Sequence, residues 1–219
     1  MRILCITYRQ WAIDIYSEIQ KNSDYIYLII DSFEKYSDEI VHDFKPDYIL
    51  FYGWSWIVSS NIINNYKCIM LHPSPLPKYR GGSPIQNQII NNEKQSMVTL
   101  FIMTDNLDDG DIIFQKEISF KGHLEEIFKN ITKIGIELTM KMLKGNYNLS
   151  KQDNTQATYC KRRKPSESEI TIEELKTKSS EYLFNKIRML EDPYPNAYIN
   201  TIDGKRILLK HVELTDENS

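Results

Sequence analysis

Cysteine is scarce in this 219-residue chain: Cys5, Cys68 and Cys160 are odd in number, far apart and free of any CxxC pairing. Neither a disulfide framework nor a zinc knuckle fits them, and a reducing cytoplasm suits them. An excess of positive charge is missing too, with 27 Lys plus Arg against 30 Asp plus Glu and a formal net charge of -3. A nucleic-acid partner is therefore not expected. The longest apolar runs, such as Tyr25 to Ile30 and Tyr48 to Tyr52, are strand-sized. They fall far short of the roughly 20 residues a membrane helix needs, so no bilayer-spanning segment is expected. The N-terminal apolar run is interrupted by Arg9 and Gln10, too soon for a signal peptide. No G-x-G-x-x-G occurs, which disfavours a nicotinamide-dependent enzyme. What is present is core material: 41% hydrophobic residues, with 14 Tyr, 8 Phe and 3 Trp that need burial, the profile of one globular domain with a small appendage.

Apolar residues 2 to 7 followed by Trp11, Ile15 and Ile19 mark a strand giving way to an amphipathic helix. The unit repeats: Tyr25 to Asp31 is a strand, Ser32 a candidate N-cap, and Phe33, Tyr36, Ile40 and Phe44 a helical stripe ending before Pro46. Asp47 to Tyr52 and Cys68 to His72 read as buried strands, with a short helical piece around Asn61 to Tyr66 between them. This alternation predicts an α/β fold with a doubly wound, mostly parallel, Rossmann-like sheet. Ser83-Pro84-Ile85-Gln86 reads as a capping box opening a helix to about Asn92. Val98 to Met103 and Ile112 to Phe120 read as strands, and Leu124 to Met142 as a long helix closed by Gly145. Residues 1–150 are expected to form the main domain and 151–219 a small α+β extension closing on it. Within the extension, the basic cluster Lys161-Arg162-Arg163-Lys164 reads as a solvated connector, Ile172 to Leu190 as one helix, and Tyr198 to Val212 as a strand or hairpin.

Proline and glycine number only eight each, yet Pro73, Pro75, Pro77, Pro84, Gly81 and Gly82 crowd into residues 73 to 84. A rigid loop directly after a strand's C-terminal end is where open α/β sheets place ligand sites. His72 opens this loop. A second polar segment, Thr104-Asp105-Asn106-Leu107-Asp108-Asp109-Gly110-Asp111, turns between two strands. As a calcium loop it fails, because Leu107 and Lys116 fall where oxygen ligands belong. No metal-ligand pattern is found. It remains open, from residue types alone, as a solvated turn or as the source of a carboxylate that orients His72 for acid/base work.

His72-Pro73-Ser74-Pro75-Leu76-Pro77-Lys78-Tyr79-Arg80-Gly81-Gly82-Ser83-Pro84-Ile85-Gln86, followed by Leu107-Asp108-Asp109-Gly110, resembles the formyltransferases that use 10-formyltetrahydrofolate. The likeness covers roughly residues 1 to 145. It implies His72 and Asp108 as catalytic residues, with no metal. The family's Asn two residues before the His is replaced by Met70, which cannot donate a hydrogen bond. The resemblance places the folate between Ser55, Trp56 and Val58 on one side and Thr104, Asp105, Asn106 and Leu107 on the other. Trp54 and Trp56 could equally be core filling.

Within the family, the strand-end segment Thr7-Tyr8-Arg9-Gln10-Trp11 lacks the glycines of a phosphate-holding loop. The negative net charge disfavours tRNA. The tail Ile187-Arg188-Met189-Leu190-Glu191-Asp192-Pro193-Tyr194-Pro195-Asn196-Ala197-Tyr198 is similar to the segment that follows the catalytic domain in sugar N-formyltransferases of surface-glycan synthesis. That likeness implies a nucleotide-linked amino sugar as acceptor, commonly a 4-amino-4,6-dideoxyhexose, and a possible homodimer. Arg9 and Arg80 are expected to contact the substrate's pyrophosphate. A protein that binds folate or nucleotide sugar without turnover is the alternative that Met70 raises.

Overall fold

In strand β1 (Arg2–Ile6) every residue from Ile3 onward is buried, and helix α1 (Gln10–Lys21) lays Trp11, Ile15 and Ile19 on the sheet as its spacing predicts. Strand β2 (Ile26–Ile30) pairs with β1 in parallel. Helix α2 (Asp38–Phe44) begins later than expected, because Ser37, not Ser32, accepts the Ile40 N–H at its start. Strand β3 (Tyr48–Tyr52), helix α3 (Ser60–Asn65) and strand β4 (Cys68–His72) complete the parallel half. After a short strand β5 (Arg80–Gly81) and helix α4 (Pro84–Ile90), strands β6 (Gln95–Ile102) and β7 (Ile112–Ser119) form a hairpin whose first strand runs antiparallel to β4. Helix α5 (Leu124–Leu143) then returns across the sheet. This computed structural model describes residues 1–215.

The six strands lie in the order β2-β1-β3-β4-β6-β7. Alternate residues of the central strands feed two cores. Ile3, Cys5, Leu50, Tyr52, Ile69 and Leu71 pack with Ile15, Ile131 and Leu138 of α1 and α5, whereas Leu4, Ile6, Ile49, Phe51 and Cys68 pack with Val41 and Ile62 of α2 and α3. Helices on both faces make the sheet doubly wound, as expected. Each such fully buried Ile or Leu contributes on the order of 1.5–3 kcal/mol.

The later segment is built differently from its sequence reading in two places. The single helix expected over residues 172 to 190 is two, α6 (Ile172–Thr177) and α7 (Ser180–Arg188). Lys178 is extended, and Ser179 accepts the Tyr182 N–H to start α7 afresh. The basic cluster is exposed at Lys161, Arg162 and Lys164, as a solvated connector would be, but its backbone is tethered. Strand β8 (Tyr159–Cys160) pairs with β5, the Lys161 carbonyl accepts from Asn87 Nδ2 at 3.1 Å, and the Arg163 N–H donates to Ser83 Oγ at 3.1 Å. The expected hairpin is present as β9 (Ala197–Asn200) and β10 (Arg206–Leu209). No helix among the described residues is long and apolar enough to cross a membrane.

Candidate active site

Period-two alternation along β4 puts Cys68, Met70 and His72 on one sheet face, with His72 at the strand's C-terminal end. The proline-rich loop that follows is pinned from three sides by side chains, two of them buried. Thr99 Oγ1 donates to the Ser74 carbonyl at 2.6 Å, Gln115 Nε2 to Leu76 at 2.9 Å and Gln88 Nε2 to Pro73 at 2.9 Å. Tyr79 then adopts φ 59°, a left-handed conformation that costs a bulky residue about 1–2 kcal/mol. Its carbonyl oxygen lies 2.9 Å from His72 Nε2.

A carbonyl only accepts, so the His72 Nε2 carries the proton of this bond. The neutral ring's lone pair is thereby assigned to Nδ1. Asp108 Oδ2 stands 3.7 Å from Nδ1 and accepts the Gly81 N–H at 2.8 Å. At 3.7 Å the carboxylate acts on the ring as a charge rather than through a hydrogen bond, and both side chains are buried. The bond that orients the imidazole is the one it donates to the Tyr79 carbonyl, a partner with no sequence signal.

Gly81 is needed where it stands: at φ 101° a Cβ would meet the Cys160 carbonyl oxygen at 2.5 Å. Gly110 is equally constrained. A Cβ there would fall 1.7 Å from the Ile102 carbonyl oxygen, so only glycine closes the turn that presents Asp108.

His72 and Asp108 form part of the wall of a cavity of about 660 Å³ at the C-terminal ends of β1, β3 and β4. Ser55, Trp56 and Val58 line one lip and Thr104, Asp105, Asn106 and Leu107 the other. Trp54 is buried and Trp56 is 39% exposed, and both line the cavity. The second lip is braced by Asp109, whose carboxylate accepts from Thr104 Oγ1 and, at 2.9 Å, from Asn106 Nδ2. Ser55 Oγ is tied to the Tyr8 hydroxyl at 2.5 Å. Met70 lies in the wall with Phe101 and Met103, an apolar stretch beside His72.

Of the two arginines expected at the substrate, the structure brings one to the cavity. The Arg9 guanidinium rests 4.4 Å from the centroid of the Tyr8 ring and 5.1 Å from that of Tyr194. Arg80 is a correction. It is 2% exposed, and its NH2 group donates to Gln152 Oε1 at 2.7 Å and to Asn154 Oδ1 at 2.6 Å, so its fork is spent inside the protein.

Gln86, Tyr194 and Arg162 also line the cavity and were not singled out as site residues by sequence. The capping-box reading of Gln86 does not hold: Ser83 is left-handed at φ 53°, and its hydroxyl caps nothing. The buried Gln86 Nε2 and Trp54 Nε1 have no hydrogen-bond partner among the described residues. Both atoms are sealed from solvent. Burial pushes the Cys160 thiol above its ordinary value, so it is not poised as a nucleophile.

The family described as formyl transferase matches residues 20–136. A methionyl-tRNA formyltransferase of Campylobacter curvus is 34% identical over 160 residues, 72% of this chain and 52% of that protein. The chain spans about half the length of the curated relatives it matches. Among solved structures, a methionyl-tRNA formyltransferase from Clostridium thermocellum superposes with TM-score 0.84 at 32% identity, covering 95% of this chain and 96% of that one. A sugar N-formyltransferase from Shewanella sp. shares the fold at TM-score 0.78 and 19% identity over 99% of both chains. HypX from Aquifex aeolicus, solved with tetrahydrofolic acid, shares it at TM-score 0.78 and 19% identity over 95% of this chain and 37% of that one. With its family match over more than half the chain and a near full-length relative at 32% identity, this chain belongs to the formyl transferase family.

Proposed function

We propose that this chain moves a formyl group from 10-formyltetrahydrofolate to a primary amine, with His72 as the acid/base residue and Asp108 as its charge partner. The observation that carries the reading is the His72–Asp108 pair, 3.7 Å apart in the cavity wall. The amine nitrogen bonds to the formyl carbon and the formyl oxygen becomes an oxyanion. His72 Nδ1, the ring nitrogen with a free lone pair, takes the amine proton, and Asp108 favours the resulting imidazolium. Collapse restores the carbonyl, breaks the carbon–nitrogen bond to the folate and returns the proton to that leaving nitrogen. Such acid/base help is worth roughly 100- to 10000-fold.

Ser55, Trp56, Val58 and residues 104 to 107 are assigned to the folate, with main-chain groups on the pterin. A backbone N–H or a bound water is the source from which an oxyanion would draw the hydrogen bond that Met70 cannot give.

For the acceptor we infer a nucleotide-linked amino sugar of the 4-amino-4,6-dideoxyhexose kind, made in the cytoplasm for a surface glycan. Arg9 between two tyrosine rings at the cavity rim suits a pyrophosphate beside a planar base. The net charge of -3 is poorly matched to a tRNA. Methionyl-tRNA is the second reading, favoured by the names of the curated relatives.

Mass spectrometry tests these readings together: a pool of nucleotide-linked 4-amino and 3-amino sugars, and in parallel methionyl-tRNA, is incubated with protein and 10-formyltetrahydrofolate. A sugar product heavier by one formyl group and dependent on His72 is expected. Formylated methionyl-tRNA instead would move the acceptor, and folate binding with no product would point to the non-catalytic alternative.

A further inference from the structure

Away from the cavity, two imidazoles and one carboxylate converge where α5 begins. His123 is the residue before α5, and its ring stacks on that of His211 with centroids 4.3 Å apart and planes 24° apart. Glu191 Oε1 lies 2.6 Å from His123 Nδ1 and 3.5 Å from His211 Nδ1. The three potential ligand atoms all fall within 4.8 Å of one another. The carboxylate is anchored by its other oxygen, since Oε2 accepts the Leu124 N–H at 3.1 Å. None of the three residues lines the catalytic cavity.

We propose that His123, Glu191 and His211 form a binding site for a borderline divalent transition ion, zinc above all, with three protein ligands and one open position. Two imidazole nitrogens and a carboxylate oxygen suit such an ion, whereas calcium and magnesium would want oxygens throughout. Tetrahedral bonds of about 2.0–2.1 Å set ligand atoms roughly 3.3 Å apart. The spacing of the His211 Nδ1 from Glu191 already matches, and the pair His123–Glu191 has only to open slightly as the ion displaces the shared proton. His211 is 60% exposed on the tail after β10 and is free to make the adjustment.

Charge works both ways here. A helix N-terminus opposes a cation. Against it stand Glu191 itself, Glu126, whose Oε2 accepts the His123 N–H at 2.9 Å, and Glu213, whose Oε1 lies 3.8 Å from His211 Nε2 in the position of an outer-shell partner. An ion held there ties the C-terminal tail to the start of α5.

The test uses the full chain free of any affinity tag, Zn(II) alone in competition with a chromophoric chelator, and Co(II) as a visible-absorption reporter of four-coordination. Uptake of one equivalent, a rise in melting temperature and protection of the tail from proteolysis are expected. His211→Ala should weaken binding by more than the roughly 10- to 100-fold that an outer-shell loss costs, while His72→Asn leaves it unchanged. Should His211→Ala fail to fold, His211→Gln carries the same readouts. No stoichiometric uptake by the parent protein, or uptake indifferent to residue 211, overturns the proposal and leaves a proton-sharing cluster.

Discussion

The Tyr79 carbonyl fixes the tautomer of His72: with Nε2 committed as a donor at 2.9 Å, Nδ1 is the nitrogen left to accept a proton. Nitrogen-15 imidazole spectra of the resting protein should therefore show His72 protonated at Nε2. A ring protonated at Nδ1 alone would remove the assignment of Nδ1 as the base.

Asp108→Asn keeps an oxygen for the Gly81 N–H but removes the charge 3.7 Å from His72. Melting temperature should hold within a few degrees while the rate falls. His72→Gln should cost turnover by roughly 100-fold or more. Single-turnover formyl transfer by both variants is the measurement.

Met70→Asn returns the donor that the family carries. If the missing donor limits the rate, turnover should rise by up to about 100-fold. The variant should also lose about 1–2 kcal/mol of stability, since a polar group then sits beside Phe101 and Met103. A rate that stays level or falls would mean that another donor already does that work.

Arg80→Lys separates structure from substrate binding. A single ammonium cannot reproduce the fork on Gln152 and Asn154, so the loss should be in stability, about 2 kcal/mol in urea unfolding, with KM for the amine little changed. A large rise in KM at unchanged stability would restore the substrate-contact role.

The Lys186–Glu174 pair should make the fold acid-sensitive. Burial acts to raise the Glu174 carboxyl, but bonds from the Lys186 ammonium, the Thr171 N–H and the Tyr182 hydroxyl outweigh it and hold the carboxyl below its ordinary 4.5. A lowered carboxyl stabilises the fold fully above its unfolded value, and this contribution disappears as pH falls through the lowered value. Urea midpoints taken from neutral pH to below 4.5 should show that slope, and Lys186→Met should flatten it. Glu174→Gln leaves the buried ammonium with the Glu169 carbonyl and a neutral amide and should cost about 1.5 kcal/mol at neutral pH.

The parts of the site legible in the sequence are those built from local rules. A strand ending at His72, a loop stiffened by prolines and a turn that only Gly110 can close all announce themselves within a few residues. What stayed hidden depends on partners far along the chain. Arg80 looks like a free cation until Gln152, 72 residues away, takes its guanidinium. Gln86 reads as part of a capping box because nothing local shows that Ser83 is left-handed and turned to Arg163. Residues 172 to 190 carry one apolar stripe, yet Thr171 and Ser179 are both efficient caps, and two short helices result.

The pairing of β5 with β8 has a consequence for biosynthesis. The Tyr79 N–H donates to Thr158 Oγ1, 79 residues later, so the loop that orients His72 is held by chain synthesised well after it. A nascent chain that has not yet reached residue 158 lacks this brace. On this geometry the loop that carries the His72 partner is held in place only once residues 158 to 160 have been made and have docked.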